Sequence, residues 1–126
     1  MVTEGGSVKA VNVEATLQSA PQWCQGGASF WLLDPFNGGN AWVGRYHGES
    51  PWEMHPDGEE LIAVLEGSVD FVLESEAGPR TVTMASGDVL VIPRGIWHRQ
   101  LCHGPVKTLG ATSGRTEHRA IQGETL

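Results

Sequence analysis

The chain has no run of lysine or arginine, and its 8 basic side chains are outnumbered by 15 acidic ones, giving a formal charge of −7. Sequence-independent nucleic-acid affinity comes from clustered cations, so nucleic acid is not an expected partner. No apolar stretch approaches the roughly 18 residues that span a bilayer, and residues 1–6 show neither a basic nor an apolar leader. The expectation is a cytoplasmic protein with no membrane partner. There are only two cysteines, Cys24 and Cys102, without metal-finger spacing or the density of a secreted scaffold, so both are read as reduced thiols. Helical periodicity is also missing. Apolar residues do not recur at i, i+3, i+4 and i+7, and little or no helix is expected.

Glycine is plentiful instead: 17 of the 126 residues, beside 7 prolines, which implies many short elements joined by tight turns. Strand-length apolar runs occupy residues 28–33, 41–47, 61–66, 69–73, 81–84, 89–92, 97–102 and 106–111. Between them, residues 34–39, Glu66-Gly67-Ser68, Ala77-Gly78-Pro79 and Ser86-Gly87-Asp88 carry the residue types that turns demand. An antiparallel chain of this kind hides its edges by closing or by pairing two sheets, so the fold class is all-β, a jelly roll or small barrel. One domain over residues 1–126 is expected, with a core of roughly 28–112. The polar first twenty residues and the charged tail after Gly114 are read as peripheral, without chemistry.

Two segments concentrate chemistry. The first runs from Gly48 to Glu60 and closes at Gly67; the second runs from Gly87 to His98. Together they resemble the two motifs of the cupin superfamily, G-x5-HxH-x3–4-E-x6-G and G-x5-P-x-G-x2-H-x3-N, in its small single-domain form. In the second motif Gly87, Pro93, Gly95 and His98 stand at the required spacing, and Cys102 replaces the terminal Asn. In the first, His55, Glu60 and Gly67 match; Glu53 stands where the first His is expected, and Gly48 is one residue too near it. The resemblance implies a double-stranded β-helix barrel that binds a small organic molecule. It also implies that His55, Glu60 and His98 are positions of metal ligands, with Glu53 a candidate fourth.

The spacing has a physical basis of its own. Glu53 and His55 share a face wherever that stretch is extended, while Glu60 and His98 open the runs 61–66 and 97–102. A barrel can therefore gather all four around one interior point. Imidazoles and carboxylates are the ligand set of iron, manganese, zinc or nickel, so a divalent transition metal is the expected cofactor. Two arrangements stay open. With Glu53 inward, two carboxylates neutralise a divalent ion; with Glu53 outward, two histidines and one carboxylate leave open positions of the facial type.

Around this set, His47 ends its strand beside the motif and is a candidate for a supporting role. Ile62, Val64 and Gln100 alternate inward as pocket lining. Cys102 shares a strand face with His98, where it acts either as a small apolar group or as a reactive thiol. His103 and His118 read as ordinary surface histidines. Trp52 and Trp97 precede Glu53 and His98, so strict alternation aims both away from the interior. Three functions remain: a metal-dependent enzyme of oxygenase, isomerase or decarboxylase type, a non-catalytic binding or sensing module, or a structural barrel. The need to cover edge strands, with the resemblance, adds the expectation of a homodimer.

Overall fold

In the computed structural model the glycine-punctuated runs fold into two antiparallel sheets, and the structure describes residues 8–19 and 28–119. Cys24 and Trp23 lie outside the described residues. In chain order the elements are α1 (Val13–Ser19), β1 (Ala28–Phe36), β2 (Gly39–Tyr46), β3 (Trp52–Met54), β4 (Glu60–Glu66) and β5 (Ser68–Leu73), then β6 (Arg80–Ala85), β7 (Val89–Ile92), β8 (His98–Cys102), β9 (Val106–Thr112) and β10 (Glu117–Arg119). One sheet has the order β1-β2-β9-β4-β7 and the other β10-β3-β8-β5-β6. Their inner faces meet over Phe71, Ile62, Met84, Ile92, Val64 and Val69, each at most 2% exposed. This is the all-β jelly-roll architecture.

Two regions depart from the expected pattern, and the little helix that was allowed for is one short element among the described residues. A helix is present: Asn12 caps α1 by accepting a hydrogen bond from the backbone N–H of Ala15 at 2.9 Å, and Leu17 is buried. Only one apolar residue anchors its seven, too few for a periodic signal. β1 continues through Asp34-Pro35 to Phe36, beyond the expected end at residue 33. Proline is tolerated there because β1 is an edge strand, and a register shift separates Leu32 from Asp34. The reversal itself needs only Asn37 and Gly38, both at positive φ, as a two-residue hairpin requires. Finally β3 and β10, three residues each, pair with one another and carry the tail after Gly114 into the second sheet.

The described residues contain no helix long and apolar enough to cross a membrane. Close approach dictates the glycine at position 110. Gly110 on β9 faces Trp42 across the strand pair, and a Cβ there would stand 2.4 Å from the indole and 2.6 Å from the carbonyl oxygen of Leu61. The ring can shift, but the backbone oxygen of a central strand cannot. Gly110→Ala is therefore expected to cost about 1–3 kcal/mol of stability as overpacking, read as a lower midpoint in urea unfolding.

Candidate metal centre

Each side chain of the centre is delivered by a different short element. β3 brings Glu53, the bend after it brings His55, β4 starts with Glu60, and β8 starts with His98. Glu53 and His98 are direct partners across β3 and β8. The turn at Pro93-Arg94-Gly95 is tied to the first motif, since the N–H of Gly95 donates to the carbonyl of His55 at 3.0 Å. Gly95 has φ of +81°, a conformation glycine adopts without strain. The two motifs thus meet through backbone before their side chains converge.

That convergence is tight. One ligand atom from each of Glu53, His55, Glu60 and His98 lies within 4.8 Å of every other. Nε2 of His55 is 3.1 Å from Glu60 Oε2 and 3.9 Å from Glu53 Oε1; Nε2 of His98 is 3.4 Å from Glu60 Oε1 and 3.4 Å from Glu53 Oε1. The side chains of His98 and Glu60 are only 0% and 4% exposed, and that of Glu53 is 26% exposed. Sequence alternation left Glu53 free to point inward or outward, and it points inward.

The surroundings fix the orientation of each donor. His98 donates its Nδ1–H to the carbonyl of Ile96 at 2.9 Å, which directs Nε2 toward the cluster. His55 Nδ1 shares a hydrogen bond with the hydroxyl of Thr116 at 3.0 Å. Trp42 donates its indole N–H to Thr112 Oγ1 at 2.8 Å, and the Thr112 hydroxyl donates to Glu60 Oε2. With one carboxylate oxygen held in this way, Oε1 of Glu60 is left without a partner. Nε2 of His55 and Nε2 of His98 are likewise sealed from water without a hydrogen bond of acceptable geometry. Unsatisfied buried polar atoms are costly, and three aimed at one point fit the coordination of a cation.

Charge distribution follows the same geometry. Burial by itself would raise the Glu60 pKa, but contacts with His55, His98 and Thr112 outweigh it and hold the carboxyl at about 2. Burial would lower His98, yet its contacts with Glu53 and Glu60 and its bond to Ile96 raise it to about 9. The proton on His98 therefore offsets the paired carboxylates when no other cation does.

A cavity of about 620 Å³ opens onto the centre. His47, Gln100 and Cys102 line it as the sequence suggested. Ile62 and Val64 do not: they are 0% and 1% exposed, sealed in the hydrophobic cluster with Phe71, Val69 and Met84. Facing inward on β4 is not enough, because only its Glu60 end reaches the cavity. Burial pushes the Cys102 thiol up to about 11, so it stays protonated and acts as a small apolar group.

The tail is no bystander. Thr116 reaches His55, and His118, read from the sequence as a surface residue, lines the cavity with Nε2 3.6 Å from Glu53 Oε2. β10 is held from outside by the guanidinium of Arg119, 5.1 Å from the ring of Trp52 and 4.6 Å from that of Trp97. Both indoles thus face away from the centre as alternation required. His103 is the ordinary surface histidine expected, 3.0 Å from Asp70.

Two antiparallel sheets closed around an inward-facing set of imidazoles and carboxylates define a class, the β-barrel with a donor cluster at its mouth. Residues 45–111, more than half of the 126, match the cupin domain family, and the chain belongs to that family. It is 32% identical over 125 residues to germin-like protein 1-1 of Oryza sativa subsp. japonica, covering 97% of this chain and 52% of that one. The chain spans about half, or less, of the length of the germin-like relatives it matches. A cupin-2 domain protein of Shewanella frigidimarina superposes with a TM-score of 0.63 at 21% identity, over 86% of this chain and 94% of that one. Lactobacillus farciminis oxalate decarboxylase, solved with formate, superposes with a TM-score of 0.64 at 18% identity, over 84% and 34%. Such identities carry the fold alone.

The stability of the metal-free protein should follow the two shifted groups. Glu60 contributes above its ordinary 4.5, and that contribution is lost as pH falls toward 2. His98 contributes below its ordinary 6.5, and its share is lost as pH rises through about 9. Thermal melts in chelator should show Tm falling on both sides of this interval, and His98→Asn should remove the alkaline decline.

Proposed function

We propose that this protein holds one divalent transition metal, of the iron, manganese, zinc and nickel group, between Glu53, His55, Glu60 and His98, and that it acts on a small organic molecule seated in the adjoining cavity. The observation that carries this reading is the convergence of three sealed, unpartnered donor atoms, from His55, His98 and Glu60, on one point. A bound ion would supply Lewis acidity and, if it is redox-active, electron transfer.

The remaining roles fall to the chain itself. Thr112 and Thr116 hold Glu60 and His55 in orientation, as outer-shell partners do. Glu53 is the only member of the set that is a quarter exposed, and it stands between the buried histidines and His118 at the cavity. With the buried histidines and Glu60 committed to the ion, it is the group best placed to exchange a proton, on a carboxylate oxygen not bound to the ion, with a molecule in the cavity or with His118. Phe30, Trp42 and Tyr46 wall off one side of that cavity and limit the water around such a molecule. A metalloenzyme of oxygenase, isomerase or decarboxylase type fits these parts.

One observation favours a second reading, a non-catalytic binding or sensing module. Two carboxylates neutralise a divalent ion and so weaken its pull on bound water. Turnover of any small organic compound by the metal-loaded protein distinguishes the two.

Elemental analysis of protein purified without chelator should give metal near stoichiometry, abolished in His98→Ala and in Glu60→Gln. Metal at buffer level in the unaltered protein contradicts the proposal. Thr116→Val should keep the fold yet weaken metal affinity by about 10–100-fold in a chelator competition, with Thr116→Ser restoring most of it.

A further inference from the structure

The cavity wall has a composition at odds with an anionic substrate. All 8 lysine and arginine side chains fall within the described residues, and none of them lines the cavity. Several are engaged elsewhere: Arg99 with Glu49 at 2.8 Å, Lys107 with Glu66 at 2.9 Å, Arg119 against Trp52 and Trp97. Three carboxylates do line it, Glu49, Glu53 and Glu60. Arg99 offsets the first, and a divalent ion held by the other two would be neutral in sum. No lysine or arginine then remains to pair an incoming anion, the imidazoles of His47 and His118 being the basic groups on the wall outside the donor set, and burying an unpaired anion is costly.

The same cavity has an apolar part to its wall, where Phe30 and Leu32 extend beyond the core residues Trp42 and Tyr46. Phe30 is 53% exposed and Leu32 is 69% exposed, although both line a concavity. Phe30 lies against Trp42 at 5.6 Å and Tyr46 at 5.2 Å between ring centroids. Gly44, its strand partner, makes this stacking feasible, because a Cβ there would stand 2.7 Å from the Phe30 ring. A side chain at that position would displace the ring. Exposed aromatic and aliphatic groups in a concave site gain most from covering a flat apolar molecule, while Gln100, Asn40 and Ser50 offer hydrogen bonds at its edge.

We propose that the cavity takes an uncharged, ring-bearing molecule that presents one or two hydroxyl or carbonyl oxygens, and that it rejects small dicarboxylates. This rests on reading the cavity as the substrate site, and it separates this chain from oxalate decarboxylase, whose fold it shares. The test uses 2-naphthol as the uncharged probe and potassium oxalate as the dianion, in calorimetric titrations of the zinc-loaded full chain at neutral pH, with metal content measured after each run. Naphthol should bind, a tenfold excess of oxalate should leave that binding in place, and Leu32→Asp should weaken it about tenfold with metal content unchanged. Displacement of naphthol by oxalate while zinc is retained overturns the inference, as does an unchanged affinity in Leu32→Asp. If the unaltered protein takes up no zinc yet binds naphthol through Leu32, the metal reading fails and the choice of ligand class is supported.

Discussion

Glu60 is an ionised carboxylate at 3% exposure, and the architecture around it is organised to make that tolerable. A charge so buried must be paired and hydrogen-bonded, or it neutralises itself. Here one oxygen is held by Thr112, itself fixed by the indole of Trp42, and also faces His55, while the other faces His98. Trp42 can take that position because Gly110 has no side chain. The chain of dependence runs from a glycine in a central strand, through an indole and a hydroxyl, to the donor atom that sets the site.

The second sheet meets the same demand from the other side. His98 is aimed by the carbonyl of Ile96 and His55 by Thr116, and both loops are tied at Gly95. Thr116 is in place because β10 pairs with β3 and because Arg119 is stacked between two outward indoles. An aromatic pair on the outer face therefore supports a polar cluster on the inner one. Glu53 completes the set with a second negative charge, at the position where the family pattern has a histidine.

Much of this was legible in the sequence, for physical reasons. The turn glycines and the two-residue alternation of strands placed Glu53 and His55 on one face, and motif spacing placed Glu60 and His98 at strand starts. Gln100 and Cys102 followed by alternation from His98. Other parts carry no local signal. Thr112 and Thr116 act on residues 52 and 61 positions earlier, contacts that only the closed barrel creates. β3 and β10 are too short for periodicity to register, so the tail looked peripheral and His118 looked superficial. Ile62 and Val64 show the converse error: alternation reports which way a side chain faces, and depth along the strand decides whether it meets cavity or core.

The proposed ion is held by two imidazoles and two carboxylates with no sulfur. X-ray absorption at the metal edge of the loaded protein tests that coordination most directly. The predicted first shell contains two nitrogen donors with imidazole scattering beyond them, and oxygen donors otherwise. A shell that includes the Cys102 sulfur, or that lacks imidazole scattering, would contradict it.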